Sequence, residues 1–196
     1  MDNLIEGRNP ILEALKAGRS ISKILMAKNT ERHGIITEIL HQAKKAGVQV
    51  EYADRYTINR LSATTANQGT IAFAAPREYA DIDDLINVSA KRGENAKLVI
   101  LDGIEDPHNL GAIIRTAEAS GMHGIIIRER RAVGLTPAVE KASAGALEYL
   151  PVCRTGNISQ SIEYLKKRNI WIAGVDQSAQ TNYTEIDFKP PTALVI

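Results

Sequence analysis

Within EDPHNLGAIIRTAEASG, residues 105–121, Asn109 and Arg115 stand at the head of an apolar helix pattern that follows the buried-strand pattern KLVILDGI. An arginine there could hold a phosphate or an alkoxide through its planar donor fork. On a helix it lies beside Gly111, Ala112, Glu118 and Ala119, and the small residues at 111, 112 and 119 leave room for something bulky to approach. Two plainer readings stand beside this one. Asn109 serves equally as a helix cap, and Arg115 as an exposed side chain paired with Glu118, worth about a few tenths of a kcal/mol. In an open α/β sheet the ligand sits beyond the C-terminal strand ends. The positions of interest are therefore Asp102, the loop 103–109, Arg128 to Arg131 and Asp176.

Other chemistries lack their residues. Gly103 and Gly111 are separated by acidic residues, and neither GxGxxG nor GxxxxGK[ST] occurs, which argues against a Rossmann dinucleotide enzyme or a P-loop. There is no G-x-S-x-G elbow and no carboxylate pair placed for glycoside chemistry. Cys153, the single cysteine, permits no internal disulfide and reads as a small core residue. His33, His41, His108 and His123 show no ligand spacing and read as surface or capping residues, so no metal is expected.

The elements that must position these residues follow from periodicity. The chain has 196 residues, 44% of them hydrophobic, enough for one ordinary domain or two small ones. MDNLIEGRNPILEALKAG is an amphipathic helix pattern rather than a signal peptide, and no apolar run spans a membrane, so a cytoplasmic location is expected. NPILEALKAG predicts a helix with Asn9 as N-cap and Pro10 at the first helical position. SKILMA, VQVEYA and GTIAFAA predict strands, ERHGIITEILHQAKKAG a helix ended by Gly47, and YTINRLSA a short helix. A charge-rich helix near Asp81 follows Pro76, where a mobile linker is expected between domains 1–75 and 77–196. Downstream, KLVILD, GIIIR, IWIAGV and ALVI are continuous apolar runs, the signature of a parallel sheet covered on both faces, with helices at NLGAIIRTAEAS, TPAVEKASAGALEY and SQSIEYLKKRN. The fold class is α/β. Net charge is +1; residues 1–75 carry ten Lys or Arg against seven Asp or Glu, which is compatible with a nucleic-acid-binding face without establishing one.

DPHNLGAIIRTAEASG resembles the first motif of the SpoU/TrmH family of RNA ribose 2′-O-methyltransferases. GLTPAVEKASAGALEYLPV is similar to the segment that follows it in the large-subunit ribosomal RNA (guanosine-2′-O-) subfamily, and GRNPILEAL and NQGTIAF to the ends of that subfamily's substrate-binding domain. The resemblance spans essentially the whole chain. It implies a small N-terminal α/β RNA-binding domain, related to small RNA-binding ribosomal proteins, and a parallel-sheet SPOUT-type methyltransferase domain with a trefoil knot. It further implies S-adenosylmethionine as cofactor, ribosomal RNA as partner, a homodimer formed through the knot, and first-motif roles for Asn109 and Arg115, with Arg115 the catalytic residue.

By the same resemblance the glycine-rich second and third motifs begin after TALVI, so the chain reads as a truncated enzyme, inactive as it stands, whose knot segment and most of whose cofactor pocket lie beyond Ile196. Gly174, Val175 and Asp176 remain to meet the cofactor. No histidine or carboxylate is marked as the base; Arg115 is expected to anchor the neighbouring phosphate and stabilise charge developing on the oxygen. Arg8, Asn9 and Gln68 are the expected RNA face of the first domain. Arg128, Arg130, Arg131 and Lys141, around the helix start at Thr136 and Pro137, are candidates for phosphate contacts or ordinary solvated charge. The competing reading is a non-catalytic RNA-binding protein that uses residues 1–75.

Overall fold

A computed structural model describes residues 3–31, 33–64 and 66–196. Met1 and Asp2, which head the amphipathic stretch, and Arg32, in the second helix pattern, lie outside the described residues. The chain falls into two compact units. The first joins Met1–Glu78 to Leu110–Arg115 and Leu135–Tyr149; the second holds Tyr79–Asn109, Thr116–Gly134 and Leu150–Ile196.

In the first unit a mixed sheet runs β1 (Asn3–Glu6), β4 (Thr70–Ala74), β2 (Ile21–Ala27), β3 (Gln49–Ala53), with only β2 and β3 parallel. Helices α1 (Arg8–Lys16) and α2 (Ile35–Ala46) bury Ile11, Leu15, Ile36 and Ile39 against Ile24 and Met26, and α3 (Arg55–Leu61) buries Ile58 against Leu25 and Ile71. Gly47 closes α2 at φ 69, as expected. Strand β1 is a correction to the continuous amphipathic helix. Gly7, at φ 96, breaks the chain direction, and the residues before it pair with β4. The helix then starts at Arg8, so Asn9 is not its N-cap. Gly7 holds that position without a side-chain cap, and Gln68 Oε1, from a distant loop, accepts the Arg8 N–H at 3.1 Å.

In the second unit five parallel strands run β7 (Val152–Thr155), β6 (Gly124–Arg128), β5 (Lys97–Leu101), β9 (Thr192–Val195), β8 (Trp171–Gly174). The apolar runs are parallel, as their composition implied. Covering of both faces holds for β5 and β6 but fails at β8, an edge strand on which Trp171 is 71% exposed, with Val175 just beyond it also exposed. Leu85 of α4 (Ile82–Arg92) fills the space that Gly124 leaves on β6, where a Cβ would lie 2.2 Å from Leu85 Cγ. Helix α7 (Ile158–Lys166), which contacts β8, is capped by Asn157, whose side chain accepts the Gln160 N–H at 3.1 Å. The segment after Pro76 is hydrogen-bonded rather than loose: Arg77 donates to the Leu147 carbonyl at 2.7 Å, and Ala80 N–H to the Val152 carbonyl at 2.9 Å.

His123 is buried, not on the surface. Its Nδ1 accepts the Lys97 N–H at 3.0 Å, so Nε2 carries the proton and donates to Glu94 at 2.8 Å, a pairing across 29 residues. Cys153 is a core residue as expected, and burial pushes its thiol up to about 11.

Candidate active site

The strand order carries the first clue. From β5 the chain proceeds outward to β6 and β7, then crosses to the far edge and returns as β9 on the other side of β5. The carboxyl ends of β5 and β9 therefore flank a topological switch point, where open parallel sheets take their ligands. Asp102 N–H binds the Ile196 carbonyl at 2.9 Å, and Val175 N–H binds the Val195 carbonyl at 2.9 Å, so Asp102, Ile196 and Val175 form one rim. Gly174, Val175 and Asp176 are exposed along it, with open space around Gly174. Hydrogen bonds from the hydroxyl and backbone N–H of Ser178 hold the Asp176 carboxyl below its ordinary value. Arg128 lies at the end of β6 and pairs with Asp102 at 2.9 Å, both side chains nearly half exposed. Arg130 and Arg131 are exposed, Arg131 at φ 55, and Val133 N–H binds the Ile104 carbonyl, which laces the two loops together.

Helix α5 (Pro107–Ala119) leaves this rim. Its cap is Asp106, whose carboxylate accepts the Asn109 N–H at 2.8 Å; Pro107 takes the first helical position. Asn109 is thus the capped residue and not the cap, and its exposed side chain is open to a ligand. Asp106→Ala is expected to cost about 1 kcal/mol of stability, whereas Asn109→Ala should stay within about 0.5 kcal/mol. Thermal melts of both variants separate the two.

Arg115 is exposed near the middle of α5. The room expected beside it is in part occupied. A Cβ at Gly111, one turn before Arg115, would lie 2.3 Å from Ala142 Cβ and 2.9 Å from the Ala142 carbonyl carbon, so helix α6 (Pro137–Ala142) packs directly on that face. Thr136 Oγ1 caps α6 through Val139 N–H, with Pro137 at the first position, as the sequence implied. The longer helix expected over 136–149 is interrupted: Ala144 and Gly145 hold φ 52 and 98 before a 3-10 turn at Ala146–Glu148. A Cβ at Gly145 would lie 2.6 Å from the Glu13 side chain, and the left-handed backbone there also favours glycine.

In the first unit the structure brings Arg8 and Gln68 together, with Asn9 exposed beside them. Gln68 is held at φ 54, a conformation uncommon for a residue with a side chain. Lys141 donates to Thr64 Oγ1 at 2.7 Å, and buried Glu6 accepts from Ala63 and Thr64, which holds those two residues in place. The sequence pattern gave no sign of a cleft of about 680 Å³ lined by Arg8, Lys28, Thr30, Asp54 and Arg55, at the carboxyl ends of the parallel strands β2 and β3. Among the described residues there is no metal-ligand cluster, and no helix is long and apolar enough to cross a membrane.

A five-stranded parallel sheet with its rim at the switch point defines an α/β protein whose ligand belongs at the carboxyl ends of β5 and β9. Comparison with known proteins makes this specific. Residues 96–196 match the SpoU rRNA Methylase family, and residues 4–80 the RNA 2'-O ribose methyltransferase substrate binding family. YacO of Bacillus subtilis, assigned to the TrmH family of tRNA/rRNA methyltransferases, is 44% identical over 190 residues, covering 97% of this chain and 76% of YacO. A TrmH-family protein of Staphylococcus aureus strain MSSA476 is 40% identical over 195 residues, covering all of this chain and 78% of its own length. Among solved structures, the SpoU methyltransferase AviRb of Streptomyces viridochromogenes superposes with a TM-score of 0.79 at 23% identity, covering 100% of this chain and 71% of AviRb; it has also been solved in complex with AdoMet. The chain belongs to the SpoU/TrmH family of RNA methyltransferases.

Proposed function

We propose that this protein transfers a methyl group from S-adenosylmethionine to a ribose 2′-hydroxyl of RNA, the target being a guanosine of large-subunit ribosomal RNA. The observation that carries the reading is Arg115: an exposed arginine on the helix that leaves the switch-point rim, in the motif the family profile spans. S-adenosylmethionine supplies an electrophilic methyl group on a sulfonium sulfur.

The residues at the rim fit such a group. Val175 and Ile196 offer exposed apolar surface, Gly174 leaves backbone accessible, and Asp176 stays ionised to face positive charge. Arg115 holds the phosphate next to the target ribose and stabilises negative charge on the 2′-oxygen as its proton passes to water, a contribution of orientation and electrostatics rather than proton abstraction. The exposed Asn109 amide presents both donor and acceptor to the same nucleotide. Arg130 and Arg131, exposed on that loop, contact phosphate, while Arg128 is shared with Asp102. A trefoil knot and a homodimer belong to this reading, as does residues 1–75 acting as the RNA-collecting domain.

RNA is taken up through Arg8, Asn9 and Gln68, and the adjoining cleft adds Lys28 and Arg55. Binding to a structured ribosomal RNA fragment should weaken linearly on a log–log plot against salt. Arg8→Ala and Lys28→Ala should each reduce that slope by about 0.7 to 0.9. Slopes unchanged in both variants would remove the cleft from the RNA path.

A further inference from the structure

Four charged side chains with little access to water meet in the first unit. Arg19 and Arg77 come from the N-terminal segment, Glu140 from α6 and Glu148 from the 3-10 turn, with exposures of 10, 16, 4 and 7%. Arg19 Nη1 donates to Glu140 at 3.0 Å and to Glu148 at 3.2 Å, and its Nη2 donates to the Ala75 carbonyl at 3.1 Å. Arg77 spans the same two carboxylates, through Nε to Glu140 at 3.4 Å and Nη2 to Glu148 at 2.5 Å, and its Nη1 donates to the Leu147 carbonyl at 2.7 Å.

Two positive and two negative charges balance here, yet burying them is costly, and an apolar cluster of the same shape would hold the segment as firmly. What the planar forks add is direction. They fix where Glu140 stands, and hence the rotation of a helix only six residues long. Burial raises the Glu140 carboxyl above its ordinary value, while Arg19 and Arg77 pull it back.

The last residue of that short helix, Ala142, is the surface against which Gly111 of α5 rests. Gly111 and Arg115 are four residues apart and share a helix face. We propose that Arg19 and Arg77 are positioning residues for Arg115: they orient α6 through Glu140 and Glu148, and α6 orients the Arg115 face of α5 through the Gly111–Ala142 contact. This rests on the catalytic reading of Arg115 given above. It also goes beyond that reading, because both arginines lie within residues 4–80, the segment matched as substrate-binding, and so tie that segment to methyl transfer.

The test compares Arg77→Met, Arg77→Lys and Arg115→Ala by steady-state kinetics and by amide hydrogen exchange over residues 110–119. Arg77→Met should lower kcat by about tenfold to hundredfold while KM for S-adenosylmethionine and for RNA stays within about twofold, and should speed exchange in 110–119 by about tenfold. Arg77→Lys, which keeps the charge and loses the fork, should fall between. A purely stabilising network would lower Tm and leave kcat unchanged well below it. Unchanged exchange in folded Arg77→Met overturns the proposal whatever the activity, and so does unchanged kcat when Arg115→Ala is inactive. If Arg115→Ala keeps its turnover, the catalytic reading fails by itself, and the exchange result alone decides whether the network orients α5. Should Arg77→Met fail to fold, Arg19→Met, which leaves the bonds of Arg77 in place, takes its part under the same criteria.

Discussion

Arg115→Ala should abolish most methyl transfer, by roughly two to three orders of magnitude in kcat, the usual effect of removing one preorganised donor to a developing oxyanion. The fold should survive, because the side chain is exposed and a surface substitution shifts stability by no more than about 0.5 kcal/mol. Arg115→Lys should recover little, since a point charge cannot reproduce a planar fork on a phosphate. The measurement is single-turnover methyl transfer to ribosomal RNA, in a form extended past Ile196 to include the expected cofactor motifs, with circular dichroism on the same samples. Turnover within a few fold of the parent, in a folded Arg115→Ala protein, would strip the residue of its role.

Gly111→Val should disrupt the packing of the first unit. Helix propensity alone favours alanine over glycine at an interior position, by about 1 kcal/mol. Contact geometry decides the other way: the added carbon meets the Ala142 methyl at 2.3 Å and backbone at 2.9 and 3.0 Å, and backbone cannot swing aside as a flexible side chain does. Overpacking of this kind costs about 1–3 kcal/mol, and valine at the upper end. A lowered melting temperature is expected for Gly111→Ala and a larger drop for Gly111→Val, with activity falling in step because Arg115 rides on the displaced helix. A rise in melting temperature for Gly111→Ala would show that α6 yields at no cost.

These outcomes also mark what could be read from residues alone. The parallel sheet was legible because KLVIL and GIIIR have no polar alternation, and chemistry confines such runs to doubly covered strands. Trp171 departs from the rule because position in the sheet, not composition, decides which strand lies at the edge. Strand β1 was hidden because four residues carry too little periodicity to compete with the helix that follows, and their partners in β4 are about seventy positions away. Proline at 107 would have identified Asp106 as the cap in place of Asn109. Arg115 stood out locally, whereas the four charges that meet around Glu140 come from three separate stretches of chain, and nothing in the spacing of Arg19, Arg77, Glu140 and Glu148 announces the meeting.

The bare edge of the second unit has a practical side. Trp171 is the chain's single tryptophan, and it stands largely in water on the outermost strand. Its emission is therefore that of a solvated indole, and the whole tryptophan signal comes from one known place. Any partner that covered β8 would draw that indole out of water and move its spectrum to shorter wavelength, so binding on this edge can be followed in solution with no label added.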